Sequence, residues 1–180
     1  MKGMVFTSLL EMIENEYGYE MVDKIITESG VSSNGVYTSV GTYDFKEMQQ
    51  LLISFGKNTR QDIDEILHKF GRYFFQVMTS NYAAFFQGHQ SALTFLASID
   101  SVIHVEVYKL YPEAQLPKFE IIEHTPERLE MNYSSGRKMA SFAFGLIEKT
   151  VEFYKEECSI KMKNLTEEGD VVNFIIKKIV

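Results

Sequence analysis

The 180-residue chain is 45% hydrophobic and 24% charged, the composition of one globular folding unit spanning residues 1–180 and not of a disordered or fibrous chain. A formal charge of -7 and a pI near 5.2 exclude a nucleic-acid surface, which needs clustered Lys and Arg to displace counterions. One cysteine, Cys158, excludes an internal disulfide, and with no leader-like start and no run of about 18 apolar residues the chain reads as cytoplasmic, without membrane insertion.

Val5, Leu9 and Ile13, four apart, predict a first helix; a second runs from Glu20 to Thr27 before the Ser29-Gly30 break. Val31 to Tyr43, with Gly35 and Gly41, reads as a loop. Asp44 and Glu47 form a capping-box pattern ahead of Met48, Leu51, Leu52 and Phe55, which starts a third helix, and Asp62 to Met78 makes a fourth. From about Ser91 to Tyr111 a further helix stacks Leu93, Leu96, Ala97, Asp100, His104, Val107 and Tyr111 on one face.

All three prolines fall between Pro112 and Pro126 and mark a change of structure type. Beyond them, Lys118 to Glu123 and Arg128 to Ser134 alternate apolar and polar residues around Thr125-Pro126-Glu127, an antiparallel hairpin in which Phe119 and Ile121 pack with Leu129, Met131 and Tyr133. A helix from about Lys138 to Glu156 follows, then a second hairpin of Ser159 to Leu165 and Val171 to Ile179. The predicted fold is α+β: a helical part over about 1–111, then a four-stranded antiparallel sheet with a packed helix over about 118–180.

Fourteen Phe, ten Tyr and nine Met supply flat, polarizable surface suited to a large core or an apolar ligand pocket. A histidine on an apolar helical face, as His104 is, is usually a satisfied core residue and only sometimes a metal ligand. Tyr133, Ser135 and Arg137, at alternate positions by a strand end, project two hydroxyls and a guanidinium from one side, a receptor for paired carboxylates. On spacing alone, a polar strand end with Arg137 in solvent is the better account of them.

Tyr133-Ser134-Ser135-Gly136-Arg137 matches the Tyr-x-Ser-x-Arg signature of the H-NOX family, the haem nitric oxide/oxygen binding domains related to the sensor region of soluble guanylate cyclase. His104 stands upstream at the family's interval for its proximal histidine, and Pro117 where the family sets a proline against the haem. Met1-Lys2-Gly3 and the stretch from Lys138-Met139 to Gly145-Leu146-Ile147-Glu148 also resemble the family, so the likeness covers essentially the whole chain.

The resemblance implies haem b between the helical and sheet parts, with His104 below the iron, Tyr133, Ser135 and Arg137 on its carboxylates, and Val5, Leu9, Phe74, Met78, Phe142 and Leu146 walling a cavity above. For Met78 and Leu146 plain core is an equal reading. Oxygen-binding members of the family carry a distal tyrosine where this chain has Phe142, and Phe74 matches a position that can be polar in them, so a nitric oxide sensor that also binds CO is expected. In the family, NO weakens or breaks the iron bond to the histidine; here that would let the haem relax at Pro117, with Gly71 a place for a helix to bend. With no catalytic domain after Val180, output would pass to a sensor histidine kinase of a two-component system, or to a cyclic-di-GMP synthase or phosphodiesterase.

The competing readings are a haem-free interaction module of the same fold and a haem peroxidase, the latter disfavoured because Phe74 and Phe142 offer no acid or base. An enzyme is not expected. His68, His89 and His124 read as solvated, as do Glu14, Glu16, Glu156 and Glu157, and Cys158, beside two glutamates, as a structural or modestly reactive thiol and not a catalytic one.

Overall fold

The computed structural model describes residues 1–179; Val180, where the sequence reading ends the sheet, lies outside the described residues. Four helices come first: α1 (Gly3–Tyr17), α2 (Tyr19–Ser29), α3 (Phe45–Thr59) and α4 (Ile63–Asn81). The starts of α3 and α4 are where the sequence places them, because Asp44 and Asp62 accept the backbone N–H two residues on, at 3.0 and 2.8 Å. Only half of the expected capping box forms. The Glu47 carboxylate, buried, takes the hydroxyls of Ser32, Ser33 and Tyr37 at 2.5, 2.5 and 2.8 Å and so pins the 31–43 loop to α3. Those three donors hold Glu47 ionised against its burial, while burial first, and the carboxylate second, raises the Tyr37 phenol far above its ordinary value.

Between residues 91 and 111 the structure departs from the predicted single helix, and ahead of that stretch lies a short helix that the sequence did not point to. A short α5 (Ala83–Phe86) is followed by α6 (Ala92–Ala97), a π-helical turn (Ile99–Ile103) and α7 (His104–Leu110). Ser98 is the cause: its hydroxyl bonds back to the Phe95 carbonyl at 2.7 Å, and its own carbonyl accepts from both Val102 and Ile103, at 2.8 and 3.3 Å, which widens the turn.

Strands β1 (Lys118–His124), β2 (Arg128–Ser134), β3 (Cys158–Asn164) and β4 (Val171–Lys178) form one antiparallel sheet in the order β1-β2-β4-β3, with α8 (Ala140–Phe153) between the hairpins. Phe119 faces Tyr133, which faces Val172, while Met131 faces Phe174 and Leu129 faces Ile176; all of these side chains are buried. Ile121 pairs with Met131 but is not buried with it: a bulge between Ile121 and Glu123 in this edge strand leaves Ile121 and Ile122 exposed.

Two hydrophobic cores result. One is built by α1 to α4; the other lies between the sheet, α6 and the inner face of α8. Met78 and Leu146 pack against both. Although α8 belongs to the sheet portion of the sequence, it is pressed onto α4: a Cβ at Gly71 would lie 2.1 Å from the Phe142 carbonyl oxygen, and one at Gly145 would lie 2.3 Å from that of His68. Gly71 is thus required by backbone contact, within a helix that runs unbroken through it. Cross-helix pairs line the same seam, with Arg72 donating to Glu148 at 2.6 Å and Glu152 at 2.7 Å, and Ser141 to Asp64 at 2.7 Å. His68 joins them, 2.7 Å from Glu148, instead of standing free in solvent. Half-exposed pairs of this kind contribute only about 0 to 1 kcal/mol each, so the backbone approach dominates.

Gly145→Ala should lower stability by about 1 to 3 kcal/mol, the usual range for overpacking, and denaturant unfolding would register it; an unchanged midpoint would mean that α4 and α8 part at little cost.

Candidate functional site

Between the two cores lies a cavity of about 700 Å³, within the size range of cofactor pockets. His104, at the start of α7, lines it, as do Pro117, Tyr133, Ser135 and Arg137, and on the helical side Val5, Phe74, Met78, Phe142 and Leu146. Leu9 does not. It is fully buried in the helical core, and one turn earlier on α1 Val5 takes the cavity wall that was expected of both.

His104 accepts or donates at one nitrogen only: Nδ1 lies 2.8 Å from Asp100 Oδ1, and Nε2 has no partner among the described residues. Burial lowers its pKa from the ordinary imidazole value, with Asp100 opposing, so the ring is neutral near pH 7. Among the described residues no group of three or more His, Cys, Asp and Glu is arranged around a metal ion. A metal held at this imidazole therefore needs its remaining ligands from a bound group and not from the chain.

The Tyr133, Ser135 and Arg137 trio is built by the end of β2. Tyr133 is buried edge-on to Phe119, ring centroids 5.5 Å apart, and burial raises its phenol pKa, which keeps the hydroxyl a donor. The next turn bonds Ser135 N–H to Asp170 O at 2.9 Å and Arg137 N–H to Ser135 Oγ at 3.2 Å. The Arg137 guanidinium donates to the Gln115 carbonyl at 2.8 Å and to Gln115 Oε1 at 3.3 Å, and lies over the Phe45 ring. No carboxylate pairs with it among the described residues, and burial lowers its pKa. A half-buried cation satisfied only by neutral acceptors, beside two hydroxyls, is a receptor for carboxylate. The fit to haem is therefore chemical as well as steric: an apolar slot, one imidazole, and a donor cluster at one margin.

Opposite, the walls are aromatic. The Phe74 and Phe142 rings lie 5.6 Å apart and Phe70 stands 5.0 Å from Phe142. Sequence reasoning missed several lining residues: Lys2, Met4, Tyr82 and Tyr111. Tyr82 directs its hydroxyl at Met4 Sδ, 3.7 Å away, and lies beside the Tyr111 hydroxyl, while Lys2 Nζ sits 4.5 Å from the centre of the Tyr111 ring. For Lys2 and Met4 the signal was Gly3 between them: a Cβ there would strike the Thr38 carbonyl oxygen at 1.8 Å, because the 31–43 loop crosses the start of α1.

The Haem-NO-binding family model matches residues 2–162. The chain belongs to the H-NOX, or haem-NO-binding, family. An H-NOX protein from K. algicida, solved as Fe(II) unliganded, is 44% identical over 100% of this chain and 97% of that one, with a TM-score of 0.97. An H-NOX from Shewanella woodyi, solved with IWP-051 in the Fe(II)CO state, is 37% identical over 99% and 95% of the two chains, TM-score 0.83. An H-NOX from S. oneidensis in the Fe(II)NO state is 23% identical over both full chains, TM-score 0.91, and attests the fold. No curated protein matches the chain. As an H-NOX domain it is a haem-based gas sensor by family, α+β in the order predicted, and no helix of its described residues is long and apolar enough to cross a membrane.

The remaining residues singled out by sequence fall outside the cavity lining. His124, Glu14, Glu16 and Glu157 are exposed as expected; His89 packs edge-on to Phe95. Glu156 is not solvated: it accepts from Lys178 at 2.8 Å and from Ala92 N–H at 3.2 Å. Burial, more than Glu156, raises the Cys158 thiol pKa.

Arg137→Leu should release bound haem about 10-fold faster or more, the loss of one charge-assisted hydrogen bond of roughly 1.5 to 3 kcal/mol. Haem transfer to an excess of apomyoglobin measures this, and an unchanged rate would remove Arg137 from the clasp.

Proposed function

We propose that this chain, as one domain over residues 1–180, is a nitric oxide sensor acting through haem b, with His104 as its iron ligand. The observation that supports it best is the meeting, in one cavity, of a neutral imidazole, a carboxylate clasp of Tyr133, Ser135 and Arg137, and a facing wall of Val5, Phe74, Met78, Phe142 and Leu146. Bound haem would supply a ferrous iron able to take NO or CO, with His104 as the protein's own ligand to it and the bond that NO would weaken or break.

The chain's own residues then decide selectivity and output. Phe74 and Phe142 offer no hydrogen to a bound gas, and the Tyr82 hydroxyl is turned to Met4. Oxygen, which gathers negative charge when bound, forgoes a stabilisation of roughly 1 to 3 kcal/mol without a donor, whereas NO needs little such help. The same apolar wall lacks the acid and base groups a peroxidase uses. A haem-free docking module leaves unexplained a half-buried Arg137 with no acidic partner among the described residues. Pro117 lines the cavity between α7 and β1, where it can pass movement from one to the other. Relay runs to a sensor histidine kinase or to a cyclic-di-GMP synthase or phosphodiesterase, in a cytoplasmic setting.

Absorption spectra of the reduced protein test the reading: a Soret band that shifts with NO and with CO and holds no lasting oxygen-bound form in air. A durable spectrum of that form would overturn the selectivity. Phe142→Tyr should slow oxygen dissociation by about 10-fold or more, the equivalent of about 1.4 kcal/mol or above. His104→Gly supplied with imidazole should keep the haem spectrum while losing partner response to NO; a normal response would refute relay through His104.

A further inference from the structure

Asp100 belongs, by helical spacing, to the same stripe as Leu93, Leu96 and His104, but the π-helical turn gives it a distinct place. It is the second residue of that turn, and His104 is the first residue after it. The backbone there runs in wide turns: the His104 N–H bonds to the Ile99 carbonyl, and Ile103 to that of Ser98. Buried Ile103 anchors the turn in the sheet-side core, while Asp100 stays on the wetter side with its side chain 34% exposed, against 13% for His104. Across this step Asp100 Oδ1 meets His104 Nδ1 at 2.8 Å.

An ionised carboxylate only accepts hydrogen bonds, so a close contact with it requires the imidazole proton on Nδ1 and leaves the Nε2 lone pair for the cavity. Free neutral imidazole has no such fixed choice. A carboxylate drawing on the Nδ1 proton also adds negative character to the ring and makes Nε2 a stronger donor to a metal. We infer that Asp100 is the positioning residue that fixes the tautomer and donor strength of His104 and thereby governs how readily NO detaches His104 from iron. This rests on the reading of His104 as the iron ligand. Asp100 acts through His104, without touching haem or gas.

A purely structural Asp100, placed near the start of α7 to favour the helix dipole, would change stability and leave the iron bond alone. The haem-loaded full chain distinguishes the two when compared as wild type, Asp100→Asn and Asp100→Ala. Three readouts apply: the iron–His104 stretch of the ferrous protein by resonance Raman, the His104 Nδ1–H signal of the diamagnetic ferrous CO complex by ¹H–¹⁵N NMR, and the stopped-flow rate at which NO detaches His104. The stretch should fall from wild type to Asn to Ala. The Nδ1–H signal should persist in wild type and Asn, whose carbonyl still accepts, and be lost to solvent exchange in Ala. Detachment should be about 10-fold faster in Ala, at the low end of what outer-sphere partners of metal ligands contribute. An unchanged stretch and rate in both variants, or an Nδ1–H in free exchange in wild type, would overturn the assignment. Absence of any iron–histidine stretch in the wild-type protein would instead sink the ligand reading beneath it. The near-isosteric Asn keeps the test valid if Ala fails to fold.

Discussion

Where α4 and α8 touch backbone to backbone, at Gly71 and Gly145, the position of nearly everything else around the cavity is decided. Phe74 and Met78 stand three and seven residues beyond Gly71 on the same side of α4; Phe142 and Leu146 flank Gly145 on α8. A side chain at either crossing point would separate the helices and open the wall that these four residues close. Because the contact admits no Cβ, the wall is rigid, and its apolar character is fixed by which residues lie one turn from the glycines.

That rigid wall faces a lower side of different construction. His104 comes from a short helix preceded by a widened turn, and the clasp comes from the end of a central strand and the turn beyond it. The sheet holds Tyr133 between two neighbours in register, so its position is over-determined, whereas α7 is seven residues long and has no buried residue of its own. An input that pulls on His104 therefore acts on an element with little packing of its own to resist it. Under the proposed function, that inequality would hold a ligand firmly at its carboxylates while leaving the part that must move lightly anchored.

Much of this was legible from local pattern. Both hairpins were, because period-two alternation and a Thr-Pro-Glu turn act over few residues; so were the starts of α3 and α4, whose caps are a single aspartate each. Ser98 was not, since the apolar spacing continues through the π turn and only the competition of a serine with the backbone reveals the break. The role of Glu47 escaped notice because a capping box and a buried carboxylate look alike until the 31–43 loop is seen to bring three hydroxyls to it. Leu9 and Val5 share one helical stripe, and the sequence does not say which turn meets cavity and which meets core. Nor does it show α8 leaving the sheet portion to lie on α4, a tertiary choice carried by two glycines 74 positions apart.

The bulge in β1 has a consequence for how the molecule behaves among its own copies. Both borders of the sheet end in open hydrogen-bonding groups, the usual template for strand-to-strand aggregation. On one border the irregular step after Ile121 breaks the regular row of donors and acceptors just where two isoleucines are bared, so a second molecule finds no continuous ladder beside its greasiest stretch. On the other, Lys161 and Lys163 place like charges where a neighbouring copy would have to lie. Colloidal safety is thus written into the two outermost strands, leaving the interior free to be as apolar as a porphyrin requires.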